Sequence, residues 1–227
     1  MVSQGGGERS YGYTEKTGRW SIDFGRLDAD SVEALNQIAD EAIRAFLQAF
    51  ADLCIVEDAE GDLVEIGEDG RLSNLWPEVP LKQDVEGRFR PGSEAASGDL
   101  SKRAGLSRVL LGCGVAAEGD RKERTLLSDG LYFHYDSGLS SRVGEPLTFD
   151  SAHVSVSVEV DPWLDAPLHG GRVLDNRTIA SLNRPRLERA LRSWEGAVGK
   201  PISEVDSAYP NLVDRYGFRA GNEPDQS

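Results

Sequence analysis

Apolar residues along this chain change their spacing twice, and those changes divide it into elements. Val32, Leu35, Ile38, Ala39, Ala42, Ile43, Phe46, Ala49, Phe50 and Leu53 recur at three- and four-residue steps. That period is the stripe of an amphipathic α-helix over 31–53 with one side buried. Glu33, Asp40, Glu41, Arg44 and Gln48 fall on the opposite side, which therefore faces out. Asp30 stands where an N-cap belongs, and Glu33 completes a capping box.

Around this helix the period is two. Trp20, Ile22 and Phe24 alternate with polar residues, which predicts a short strand. The clearest alternation covers 151–161. Ala152, Val154, Val156, Val158 and Val160 point one way, and Ser151, His153, Ser155, Ser157, Glu159 and Asp161 the other. One face on the core and one on water is the signature of an antiparallel sheet. Residues 53–57 and 62–66 read as strands about a turn at Asp58-Ala59-Glu60-Gly61. The Asp-Gly pair of Gly67-Glu68-Asp69-Gly70 predicts a second turn before Leu72. Two further strands, 107–116 and 125–135, flank a polar turn at 117–124.

Regular structure is interrupted at Trp76-Pro77-Glu78-Val79-Pro80 and across the small polar run 91–99. Together they predict a long irregular surface loop over about 76–105. A Gly- and Ser-rich link covers 136–146. Asp161-Pro162-Trp163-Leu164-Asp165 then places a Trp over the end of the sheet, with acids capping turns. The period returns to helical near the C-terminus. Pro185 suits a first turn, Leu187, Ala190, Leu191, Trp194 and Val198 form the stripe, and Gly199 is a stop. Arg184, Arg186, Arg189 and Arg192 fall off that stripe and read as a surface paired with acids. A second short helix is expected over 203–216. The whole predicts an α+β fold: an antiparallel sheet of about five to seven strands, with an N-terminal and a C-terminal helix packed on one face. It forms a single domain over 11–219, after a disordered lead at 1–10 and before a frayed tail at 220–227.

Charge sharpens this outline. The 227 residues carry a formal net charge of −14. Residues 23–78 hold 15 acids against three bases, Arg26, Arg44 and Arg71, so nearly all of the excess lies in one stretch. A field of that sign repels phosphate, which argues against nucleic acid as a ligand. It attracts a basic protein and speeds encounter with it. The acids predicted to form such a docking patch are Asp40 and Glu41 on the helix, then Glu57, Asp58, Glu60, Asp62, Glu65, Glu68 and Asp69, with Trp76 as an aromatic anchor. No apolar run has the length of a membrane span, and the start has no secretory leader pattern, so the expected compartment is the cytoplasm. Five lysines among 25 bases, with one methionine, point to a GC-rich bacterial source.

Catalytic motifs are scarce. There is no GxSxG, HExxH or P-loop lysine, and Gly112-x-Gly114 lacks the third glycine of a dinucleotide loop. Cys54 and Cys113 sit among apolar residues without a CxxC partner and read as buried thiols. No cofactor or metal motif is present. One constellation depends on folding: if 131–136 pairs with 151–160, then His134, Asp136 and His153 meet on one sheet face, where they suit metal binding or acid–base chemistry. The expectations are therefore, first, an acidic module that binds a basic toxin or nuclease as a stoichiometric inhibitor, of the immunity-protein or antitoxin kind. The alternatives are a small hydrolase or metal-dependent enzyme built on His134, Asp136 and His153, and an accessory protein with a solubilising surface.

Overall fold

A computed structural model describes residues 13–29, 31–92, 104–119, 123–169 and 172–220. The predicted lead at 1–10 and nearly all of the tail at 220–227 lie outside them. In chain order the elements are β1 (Tyr13–Gly25), α1 (Val32–Phe50), β2 (Cys54–Ile66), β3 (Leu72–Gln83), β4 (Phe89–Pro91), β5 (Ala104–Glu118), β6 (Arg124–Asp136) and β7 (Ala152–Val160). The pair β8 (Leu168–His169) and β9 (Arg172–Val173) follows, then α2 (Arg177–Val198), β10 (Glu204–Asp206), β11 (Val213–Asp214) and β12 (Gly217–Phe218).

The fold is α+β around an antiparallel sheet of eight strands, ordered β10-β1-β7-β6-β5-β2-β3-β4. That exceeds the expected five to seven, because β3, β4 and β10 arise where a loop or a helix was expected. Phe46 of α1 stacks on Phe133 of β6 at 4.6 Å between ring centroids. Phe50 of α1 meets Trp194 of α2 edge-on at 6.5 Å. These residues join Trp20, Val109, Leu111, Val154, Val156 and Leu187 in the main hydrophobic cluster. A smaller cluster of Ala29, Leu35, Val64, Leu72 and Phe149 closes the other end. Neither helix is long and apolar enough to cross a membrane among the described residues.

Several boundaries differ from the sequence expectation, each for a physical reason. The helix cap is Ser31, whose hydroxyl accepts the Ala34 N–H at 3.2 Å; Asp30 lies outside the described residues. Asp58-Ala59-Glu60-Gly61 is no turn but the middle of β2. Gly61 is needed there because a side chain would come within 2.7 Å of the Arg108 carbonyl on β5. Residues 76–83 belong to β3 rather than to a loop, and 93–103 lie outside the described residues. Proline is tolerated in β3 because Pro77 and Glu78 together oppose the single residue Asp62, which is a β-bulge. Glu78 takes a left-handed φ of 54°, and its N–H donates to Asp62 Oδ1 at 2.8 Å.

The C-terminal helix starts at Arg177, so Pro185 lies inside it rather than in its first turn. The ring removes one backbone bond. Tertiary anchors hold the turn on either side. The Asn183 amide exchanges bonds with Glu118, accepting from its N–H and donating to its carbonyl, both at 2.9 Å. Arg186, expected on the surface, is only 9% exposed and buries its guanidinium. It donates to the carbonyls of Ala116 and Asp52, each at 2.5 Å. Gly199 ends the helix in the left-handed conformation, as expected. Instead of a helix over 203–216, β10 joins the edge of β1 and β11–β12 form a small hairpin. Trp163 is fully buried, as its motif predicts.

Candidate functional site

Alternation along β6 and β7 sorts their side chains between two faces. Leu131, Phe133 and Tyr135 enter the core, as do Val154, Val156 and Val158. Tyr132, His134 and Asp136 share the opposite face with His153, Ser155 and Ser157. The two strands do pair, with Tyr132 opposite Ser157, His134 opposite Ser155 and Asp136 opposite His153. The His134 and His153 rings meet edge to face, 5.5 Å between centroids. The pairing and the register inferred from the sequence are both observed, and the three residues are neighbours.

Their electrostatics are less suited to catalysis than their placement. Burial pushes His134 down to about 4; Asp136 works against this, while His153, Arg108 and Arg19 add to it. At neutral pH the imidazole is therefore uncharged and a weak base. The Asp136 carboxylate accepts the Gly138 N–H at 2.8 Å and so closes a turn. Among the described residues no three His, Cys, Asp or Glu side chains converge closely enough to hold a metal ion.

The same face continues across the sheet. Arg108, Leu110 and Gly112 of β5 stand opposite Asp136, His134 and Tyr132. Asp62, Glu60 and Asp58 of β2 stand opposite Arg108, Leu110 and Gly112. On the other flank, Asp23, Ser21 and Arg19 of β1 stand opposite His153, Ser155 and Ser157. The histidine set and the central acids of the charged stretch thus share one polar face. Reading them as separate candidates missed this, because the relation depends on strand order.

The predicted docking acids differ in what holds them. Asp40, on α1, takes a two-pronged bond from Arg90 of β4 at 2.9 and 2.5 Å. Glu41 accepts from Gln37 at 3.0 Å. Glu57 accepts the Asp129 N–H at 3.0 Å. Asp62 pairs with Arg108 at 3.0 Å besides holding the β3 bulge. Asp69 accepts the Arg71 N–H across the hairpin turn at 3.2 Å. Asp58, Glu60, Glu65 and Glu68 make no side-chain hydrogen bond or ion pair with the described residues. Trp76 stands opposite Leu63 and packs partly into the main core.

Sequence reasoning passed over two apolar residues beside these acids. Ile55 is 58% exposed and Leu126 is 47% exposed. Ile55 lies opposite Gly114. Leu126 Cδ1 and Glu57 Oε1 lie 2.9 and 2.7 Å from where a Gly114 side chain would begin. The signal was legible in retrospect: Ile55 is out of phase with the core-facing Val56. Two larger clefts lie elsewhere. One, of about 520 Å³, is lined by Arg26, Leu27, Pro146 and Phe149. The other, of about 480 Å³, runs along Asp40, Arg44, Arg88 and Arg90. Neither contains a histidine or a cysteine.

Comparison with known proteins adds no relative: no family model, curated protein or solved structure matches this chain.

Proposed function

We propose that this chain is an acidic protein-binding module that presents the polar face of its sheet to a basic partner. The most concrete form of the reading is a cytoplasmic, stoichiometric inhibitor of the immunity-protein or antitoxin kind that occupies the basic cleft of a toxin or nuclease. In this reading both helices take the Phe133 face, and the other face is left for the partner. The observation that carries the reading is the row of acids along β2: Glu57 shares the space over Gly114 with Leu126, opposite the exposed Ile55, and Asp58 and Glu60, farther along the same face, make no ion pair with the described residues. Unpaired carboxylates gain most from an incoming cation, and a neighbouring apolar spot gives affinity that salt does not screen. Long-range attraction sets the on-rate, and the apolar contact sets the off-rate. Nucleic acid and membrane are not the targets in this reading.

The test is to isolate the partner with the tagged chain from its own host and measure association by stopped flow at rising salt. The on-rate is expected to fall at least tenfold from low to high ionic strength. Asp58→Asn with Glu60→Gln slows association, whereas Ile55→Ala and Leu126→Ala speed dissociation. An acidic partner, or an on-rate indifferent to salt, overturns the reading.

A second reading, a small hydrolase or metal-dependent enzyme, rests on the gathering of His134, Asp136 and His153. It predicts bound metal in protein purified without chelators, or activity lost in His153→Ala. The accessory reading, in which the acids only solubilise, predicts that neutralising Glu57, Asp58, Glu60 and Glu68 together changes solubility and nothing else.

A further inference from the structure

The two cysteines are 59 positions apart in the chain, yet they occupy one strand pair. On β2 and β5, Cys54 stands opposite Val115 and Val56 opposite Cys113. The cysteines are therefore diagonal neighbours on the same side of an antiparallel pair. Both thiols are free, and the Cys113 thiol points to the Leu111 carbonyl of its own strand at 3.9 Å. Their accessibility differs: Cys54, at the first position of β2, is partly exposed, whereas Cys113 is fully buried.

We infer that Cys54 and Cys113 form a redox-modification site: a dithiol that a peroxide oxidises to an intramolecular disulfide. The chemistry follows from the asymmetry. The Cys54 thiolate attacks one peroxide oxygen. The O–O bond breaks, and Cys54 becomes a sulfenic acid as the peroxide is reduced to water. The Cys113 sulfur then attacks Cys54 sulfur; the S–O bond breaks, and the hydroxyl leaves with the Cys113 proton as a second water. Two thiols and one peroxide thus give one disulfide and two waters. Cys113 takes the second role by position: it is buried, out of reach of solvent oxidant but beside Cys54, and because Cys54 and burial raise its pKa, its proton leaves as it attacks.

Diagonal neighbours have Cα atoms about 7–8 Å apart, slightly beyond the span of a relaxed disulfide. Closure therefore draws β2 inward by about an ångström. The adjoining irregularity gives it that freedom: the register slips between Val56 and Asp58, leaving Glu57 unpaired. Cys54 also follows the short turn 51–53 after α1, so the movement involves the start of the strand and not its middle.

The experiment treats the folded protein with a few equivalents of hydrogen peroxide, then blocks free thiols and measures intact and peptide masses. The expected result is a loss of about 2 Da per chain, a cross-linked Cys54–Cys113 peptide pair, and full reversal by a thiol reductant. The unfolding midpoint is expected to rise by roughly 5–15 °C in the oxidised form, as suits a closed loop of this length. Cys54→Ser, at the accessible position, abolishes the mass loss while remaining folded. In that variant Cys113 stays reduced. The inference is overturned if Cys54 instead advances to sulfinic acid with Cys113 still free, if the disulfide links two chains, or if neither thiol reacts while the fold is intact.

Discussion

The Asp58 carboxylate lies across Gly112 of the neighbouring strand: a side chain beginning at Gly112 would meet Asp58 Oδ1 at 1.8 Å. The glycine of the Gly112-x-Gly114 pair, which falls short of a dinucleotide loop, is thus the floor beneath an acid on the sheet face. Gly112→Ala forces the carboxylate to swing away, which costs little because it makes no hydrogen bond with the described residues. Against this stands the usual gain from replacing strand glycine, about 0.5–1 kcal/mol. The expected net change in unfolding free energy is near zero. In an Asp58→Ala background the same substitution should stabilise by about 0.5–1 kcal/mol. Urea unfolding of the four proteins in this cycle measures the difference.

Acids that look alike in sequence should separate on mutation. Asp62→Ala leaves the Glu78 N–H without its acceptor and Arg108 without its partner, a loss of about 1–3 kcal/mol. Asp62→Asn keeps an acceptor oxygen and should lose less. Asp40→Ala strands Arg90, whose side chain is 26% exposed, at a similar cost. Glu60→Gln and Glu68→Gln should stay within about 0.5 kcal/mol of the parent. Denaturant midpoints for the five variants test this ordering.

Arg186 gives the largest expected effect. Arg186→Met keeps much of the volume but removes the donors to the Ala116 and Asp52 carbonyls, which are part-buried. The expected loss is about 2–4 kcal/mol. Arg189→Met, on the exposed side of α2, is the control and should be nearly silent in thermal unfolding.

His134 makes stability depend on pH in a defined window. Its folded pKa, about 4, lies below its ordinary 6.5, so the unfolded chain binds the proton first. Between those values the unfolded state holds more protons, and stability rises with pH. The penalty is absent above about pH 6.5, grows as pH falls and is complete below about 4, reaching roughly 3 kcal/mol. His134→Gln should flatten that part of the stability profile. The His134 ring resonances should titrate near 4 by NMR.

What the sequence disclosed and what it hid follow from the range of each interaction. His134, Asp136 and His153 could be brought together on paper because strict alternation assigns each side chain a face, and neighbouring strands need only a register. The helix of Leu35, Ile43 and Phe46 was equally legible, since its buried stripe is local. Strand β3 was not: Pro77 marks a break, and the acceptor that rescues its bulge, Asp62, comes from another strand. Arg186 looked like surface because its partners, Asp52 and Ala116, are distant in sequence and are backbone atoms. In the structure the charged stretch divides between two surroundings. Asp40 is spent on Arg90 beside α1, whereas Asp58 and Glu60 stand on the polar sheet face.

The margin of the sheet has a consequence of its own. At one end β10 offers only Glu204–Asp206 to β1. Beyond it, the Ser203 hydroxyl takes the Asp23 N–H at 3.2 Å, and the Ser207 hydroxyl donates to the Thr17 carbonyl at 2.5 Å. At the other end β4 is three residues long and finishes in Pro91. Short, acidic or proline-terminated borders leave few backbone groups for a foreign strand to copy. β4 covers only Leu81–Gln83, so the rest of β3 borders the sheet directly, and its bulge with Pro77 and Pro80 takes over the protection there. Where strand addition is discouraged in this way, recognition falls to side chains, which a few substitutions can retune without disturbing the scaffold.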